Sequence, residues 1–191
     1  EVTSFGASGY TTIPSAGSTF HCIEVQADGK LVMGGELSNF ATVSRVLPNG
    51  TIDTGFGTNG TMSLSPTAGQ TYLKLFGIAI ESNGKIILTG EKTYSNNIVR
   101  SYTVRLNSNG TLDATFGTGG AVELTLPYDF SGTNRVMPYT GNSYILSGSA
   151  YMTSGPSDFL VIKLNSNGTY DASFGASSGY STFNMQGHEL S

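Results

Sequence analysis

Apolar residues alternate with polar ones in short bursts along this chain, and the bursts recur. Ile23 and Val25 alternate ahead of an Asp-Gly pair at 28–29, and Ile78 and Ile80 ahead of an Asn-Gly pair at 83–84. Val136 holds the same place in a third stretch. A two-residue period is that of a strand with one buried face. Asp-Gly and Asn-Gly supply the positive φ of a two-residue hairpin turn, so a hairpin is predicted at each pair. The partner runs KLVMG, KIILTG and SYILSG are apolar nearly throughout. Such runs suit strands covered on both faces. After a connection of variable length comes a third run: ATVSRV, SYTVRL or DFLVIKL. It is closed by Asn-Gly at 49–50, 109–110 and 167–168. A fourth run follows a Phe-Gly pair: GTMSLS at 60–65, GAVELTL at 120–126 and GYSTF at 179–183. No stretch combines a 3.6-residue apolar period with helix caps.

The pattern fills the chain. The Phe-Gly phenylalanines Phe5, Phe56, Phe116 and Phe174 are spaced by 51, 60 and 58 residues. QADGKLVMGGE (26–36) matches ESNGKIILTGE (81–91) and, more weakly, TGNSYILSGS (140–149). Short, evenly spaced strands with turn signals between them predict an all-β fold. Four antiparallel strands per unit is the arithmetic of a β-propeller blade. We therefore expect about three four-stranded blades of 51–60 residues over 1–191, with junctions near 5–6, 56–57, 116–117 and 174–175. Propellers usually close with about four to eight blades. The expectation is thus part of a larger propeller, or an open arc whose ends meet something else.

The ordered elements DGKLVMGG and RVLPNGTIDTGFGTNG resemble the delta-60 repeat, a β-propeller repeat of bacterial surface and secreted proteins. The resemblance spans essentially the whole chain, in three units plus partial ends. Ser143 stands where the other units carry Lys30 and Lys85, which weakens a repeated lysine site. The resemblance implies a propeller, an extracellular or cell-surface setting, and a source such as Bacteroidota, where many surface proteins leave by the type 9 pathway. It implies no catalytic residue.

Composition narrows the partners. The 191 residues carry a net charge of −4, and only 12% are charged. No basic patch exists to neutralise phosphates, so nucleic acid is not an expected partner. No apolar run approaches the ~18 residues of a membrane-spanning helix, so membrane insertion is not expected. The single cysteine, Cys22, excludes an intrachain disulfide and is expected to pack as a small hydrophobe. His21 and His188 lack a metal-ligand pattern, and nucleophile-elbow, zinc-protease and phosphate-loop motifs are missing. No cofactor, metal or enzymatic activity is expected.

The repeated polar residues admit two readings each. Asp53, Asp113 and Asp171 lie three residues before each Phe-Gly. They suit a carboxylate that pins a turn, or a ring of calcium ligands; one acid per unit falls short of the six to eight oxygens calcium takes. Phe56, Phe116 and Phe174 suit plugs between blades better than ligand platforms. Arg45, Arg105 and Lys163 suit salt bridges to the repeated Asp, or to Glu36 and Glu91; the alternative is an anionic partner. The Asn-Gly-Thr triplets at 49–51, 59–61, 109–111 and 167–169 read as turns rather than glycosylation sites.

Specificity is expected where the units differ. EKTYSNNIVRS (91–101) and SAYMTSGPSD (149–158) join the second strand to the third. Their neighbourhood offers Tyr94, Tyr102, Tyr151 and Met152 as contact residues. Loops can vary without disturbing the blades. The expected function is a non-catalytic scaffold or protein-interaction module that binds a protein partner or the rest of its own chain. A glycan-binding propeller is the alternative, and a polysaccharide lyase or hydrolase the third reading.

Overall fold

The computed structural model describes residues 5–13 and 17–184. Among the described residues, twelve strands form three four-stranded antiparallel blades. The first contains β1 (Ser18–Val25), β2 (Leu31–Leu37), β3 (Phe40–Val46) and β4 (Thr61–Leu64). The second contains β5 (Gln70–Ile80), β6 (Ile86–Tyr94), β7 (Val99–Leu106) and β8 (Ala121–Leu124). The third contains β9 (Phe130–Tyr139), β10 (Ser143–Tyr151), β11 (Asp158–Leu164) and β12 (Tyr180–Phe183). Each blade is a meander in sequence order. A single parallel bridge, Val99 to Phe130, links the second and third sheets. His188 lies outside the described residues.

The turn type differs from expectation. Gly29 and Gly84 adopt φ of 81° and 83°, but Asp28 and Asn83 stay in the ordinary region. The loop is longer than two residues: Gln26 and Lys30 close it, and the Gly29 N–H donates to Gln26 O at 2.8 Å. Asp28 and Asn83 act instead through their side chains, which accept the Lys30 and Lys85 N–H groups at 3.2 and 2.9 Å. A side-chain turn of this kind leaves only the glycine in the left-handed region. The true two-residue hairpin lies elsewhere. Ser38 and Asn39, with φ of 48° and 75°, join β2 to β3. The equivalent connections occupy 95–98 and 152–157 in the later blades, so they lengthen along the chain.

The core sits between blades. Val32, Val43 and Phe56 of the first blade pack with Leu73, Leu75 and Leu88 of the second. Ile87, Phe116 and Leu124 of the second pack with Leu146, Leu160 and Ile162 of the third. Phe56 and Phe116 are 0% exposed, as expected of plugs; burying a ring contributes about 2–3 kcal/mol.

Candidate functional site

Each blade joint is built from the repeated dozen residues. In the second unit the Arg105 guanidinium lies 4.8 Å from the Phe116 ring centre. Its Nε donates to Asp113 Oδ2 at 2.7 Å, and Nη1 donates to the third blade's Ser166 carbonyl at 2.6 Å and Tyr144 hydroxyl at 2.8 Å. Asp113 also accepts from Lys85 Nζ at 2.7 Å and from the Thr115 N–H and hydroxyl. Burial opposes ionisation of Asp113. The hydrogen bonds from Lys85, Thr115 and Arg105 outweigh it and hold the carboxyl well below the usual range. The first unit repeats the design: Arg45 bonds Asp53 at 2.8 Å and reaches the Ser108 carbonyl of the second blade. Lys163 pairs with Asp171 at 2.8 Å. Glu36 is not the partner of Arg45; it pairs with Lys74 at 3.3 Å.

Backbone atoms complete the joint. The Gly57 and Gly117 N–H groups donate to the Asn109 and Asn167 carbonyls of the following unit, each at 2.8 Å. Gly117 has φ of 55°, and a side chain there would collide with the Ala121 carbonyl. Glycine is therefore required where the chain doubles back.

The expected contact residues fall into two groups. Tyr94, the last residue of β6, donates its hydroxyl to Glu123 at 2.6 Å. Lys92 Nζ bonds the other Glu123 oxygen at 2.8 Å and sits 4.2 Å from the Tyr102 ring centre. Burial raises the Glu123 carboxyl, but these two bonds win and lower it. Tyr102 lies within β7, in the third run, and is 8% exposed. The cluster borders a groove of about 850 Å³ between the second blade and the Asn167–Tyr170 turn. The matching groove of the first joint, about 580 Å³, has Ser63 in place of Glu123. The second group belongs to the third blade. Tyr151 stacks on Phe130 at 4.6 Å and 12°, and Met152 beside it is 49% exposed. Asp129 ties this loop down by accepting the Thr153 N–H and hydroxyl at 2.8 and 2.6 Å.

The sequence reading did not single out Lys92, Glu123 and Phe130. Lys92 and Glu123 are 31 residues apart and break the repeat, replacing Leu37 and Ser63. That departure from phase was the available signal. Among the described residues, no three His, Cys, Asp or Glu side chains converge as a metal site. No described helix is long and apolar enough to cross a membrane.

Meander blades joined by a repeated Arg-Asp-Phe-Gly element define a β-propeller repeat protein. The chain matches the family described as a domain of unknown function (DUF5122) beta-propeller over residues 26–56, 81–116 and 142–174. It belongs to that family. The three matched segments begin at or near the hairpin turns and end at the repeated phenylalanines. No curated protein matches in sequence. Among solved structures, a streptogramin B lyase is similar at TM-score 0.42 and 13% identity, over 91% of this chain and 57% of that one. A catalytically inactive virginiamycin B lyase from Staphylococcus aureus with quinupristin is similar at TM-score 0.30 and 10% identity, over 91% and 72%. The chain therefore spans little more than half of the first of these proteins.

Proposed function

We propose that the chain is a non-catalytic β-propeller module, a scaffold and protein-interaction surface of a secreted or surface-attached bacterial protein. One observation carries this reading. The in-phase cations Arg45, Arg105 and Lys163 are all taken up by in-phase carboxylates, so repetition serves the joints. What remains for recognition is the non-repeating end of the blades, where Tyr151, Met152 and the Tyr94–Glu123 cluster lie. Tyr and Met are residue types enriched in the buried centres of protein interfaces. The resemblance to delta-60 repeats of Bacteroidota supports the extracellular setting and a type 9 export route.

A photo-crosslinking residue at Met152 tests it, with one at Asn83 on the opposite end of the blades as control. In culture medium or on intact cells, defined adducts are expected from position 152 and not from 83. Equal labelling at both positions, or adducts only with cytoplasmic proteins, rejects the reading. A glycan-binding propeller is the second reading, favoured by the groove beside Tyr102 and Glu123. A glycan array that retains the native protein and loses Glu123→Ala would select it.

A further inference from the structure

The second joint holds a carboxylate to which the third blade brings no cation. In the first joint Glu36 of β2 pairs with the next blade's Lys74 at 3.3 Å, and the Lys74 ammonium lies 5.4 Å from the Tyr72 ring centre. The strand registers place Glu91 in phase with Glu36, Gly132 in phase with Lys74, and Phe130 in phase with Tyr72. The acid and the ring recur; the lysine they serve does not.

Lys74 does not make up the difference. It stands across the ladder from Glu91, yet its Nζ turns to Glu36, which His21 Nε2 also approaches to 3.8 Å. Among the described residues, no ion pair or side-chain hydrogen bond forms on the Glu91 carboxylate. Two carboxylates thus share one lysine. Glu91 is half-buried, and burial pushes its carboxyl above the ordinary range; Lys74 opposes the push, Glu36 adds to it and His21 opposes it. Withdrawing a charge from water without a partner is costly, and a cation supplied from outside relieves that cost.

The surroundings suit such a cation. Glu91 Oε2 and Phe130 Cζ lie 3.2 and 3.0 Å from the point a Gly132 Cβ would take, so both lean over that glycine. Phe130 stacks on Tyr151 at 4.6 Å, beside the exposed Met152. A carboxylate next to aromatic rings attracts an ammonium through both charge and the ring quadrupole.

We propose that Glu91 and Phe130 form a site for the ammonium of a lysine side chain on a partner protein. Resting on the protein-interaction reading above, this names its chemistry: the partner supplies in trans what Lys74 supplies in cis to Glu36 and Tyr72. The charges are complementary, since the chain carries a net −4 and this site one carboxylate more than it has lysines.

The test is an NMR titration of the isotope-labelled protein with Nα-acetyl-lysine methylamide. A saturable shift of the Gly132 amide is expected. Affinity is expected to fall about 10-fold for the uncharged norleucine derivative and in Glu91→Gln, the loss of one charge-assisted hydrogen bond. Gly132→Lys, at a position that needs no positive φ, supplies the ammonium in cis and is expected to weaken binding equally. Equal affinity for the two derivatives, unchanged affinity in Glu91→Gln, or no saturable shift in the native protein overturns the proposal. Cross-linking from position 152 separates it from the reading it rests on. Fewer adducts in Glu91→Gln support both. Undiminished adducts overturn the lysine site and leave the interaction surface standing. Absent adducts alongside a bound lysine derivative overturn the assignment to a partner protein.

Discussion

Replacing Asp113 by alanine separates a sealed joint from an open one. The substitution removes four hydrogen bonds, from Arg105 Nε, Lys85 Nζ, the Thr115 N–H and the Thr115 hydroxyl. Its main effect falls on Arg105, whose side chain is 7% exposed. Lys85, 30% exposed, can turn to water; Arg105 cannot. Stranding one member of a buried ion pair costs about 3–5 kcal/mol. Arg105 keeps the Tyr144 hydroxyl, the Ser166 carbonyl, the Thr115 hydroxyl and a second carboxylate, Glu81, at 4.0 Å, so the lower end applies, about 3 kcal/mol. At about 2–4 °C per kcal/mol for a chain of this size, Tm falls by about 6–12 °C. Thermal unfolding followed by circular dichroism measures it, with Asp171→Ala as the matched control. There the stranded Lys163 is 21% exposed and, among the described residues, meets no following blade, so the loss is expected to be small. Equal losses in the two variants would refute the reasoning, because burial of the cation would then contribute nothing.

Three further outcomes are expected. Asp113 and Asp171 both have lowered carboxyl pKa values, so they stabilise the fold above the ordinary value of 3.8. That contribution is lost as pH falls; for Asp171 the window runs from 3.8 to about 2, and Tm in acid is expected to fall less steeply in Asp113→Asn. Gly168→Ala should destabilise more than Gly69→Ala. Both positions have positive φ, 87° and 83°, which alone costs about 1–2 kcal/mol, but only at 168 would the new Cβ lie 2.6 Å from Val122. Urea titrations that rank the two the other way would contradict the joint geometry. Burial pushes the Cys22 thiol up to about 11, so alkylation by iodoacetamide at pH 8 is expected to run about 100-fold slower than for free cysteine.

The strands were legible because alternation and turn residues say directly which positions pair and where the chain reverses. Arg-Asp pairing was legible because both partners recur at a fixed offset, 45 with 53 and 105 with 113. Other features left no such trace. Arg45 and Arg105 reach the next blade through serine carbonyls, and a carbonyl has no residue type to betray it. The first strands bulge near His21, Phe76 and Asn134, whose identities have nothing in common. The trace of each bulge lies across the ladder, in the in-phase glycines Gly35, Gly90 and Gly148. A side chain at any of these would strike the bulged backbone. Tyr102 begins the third run beside a variable connection, yet it is in register with the buried Thr42 of the first blade, so its exposure follows the strand and not the connection.

The contact from a Phe-Gly amide to the next asparagine carbonyl uses main-chain atoms alone on both sides. This contact therefore asks of two successive units only that the two turns be kept, whatever side chains the turns carry. Such a gene can lose, gain or reorder whole units by recombination and still encode junctions that fit. Only the facing apolar residues then need to adjust. Selection on the loops can proceed unit by unit, because exchanging one blade does not oblige its neighbours to change their backbone.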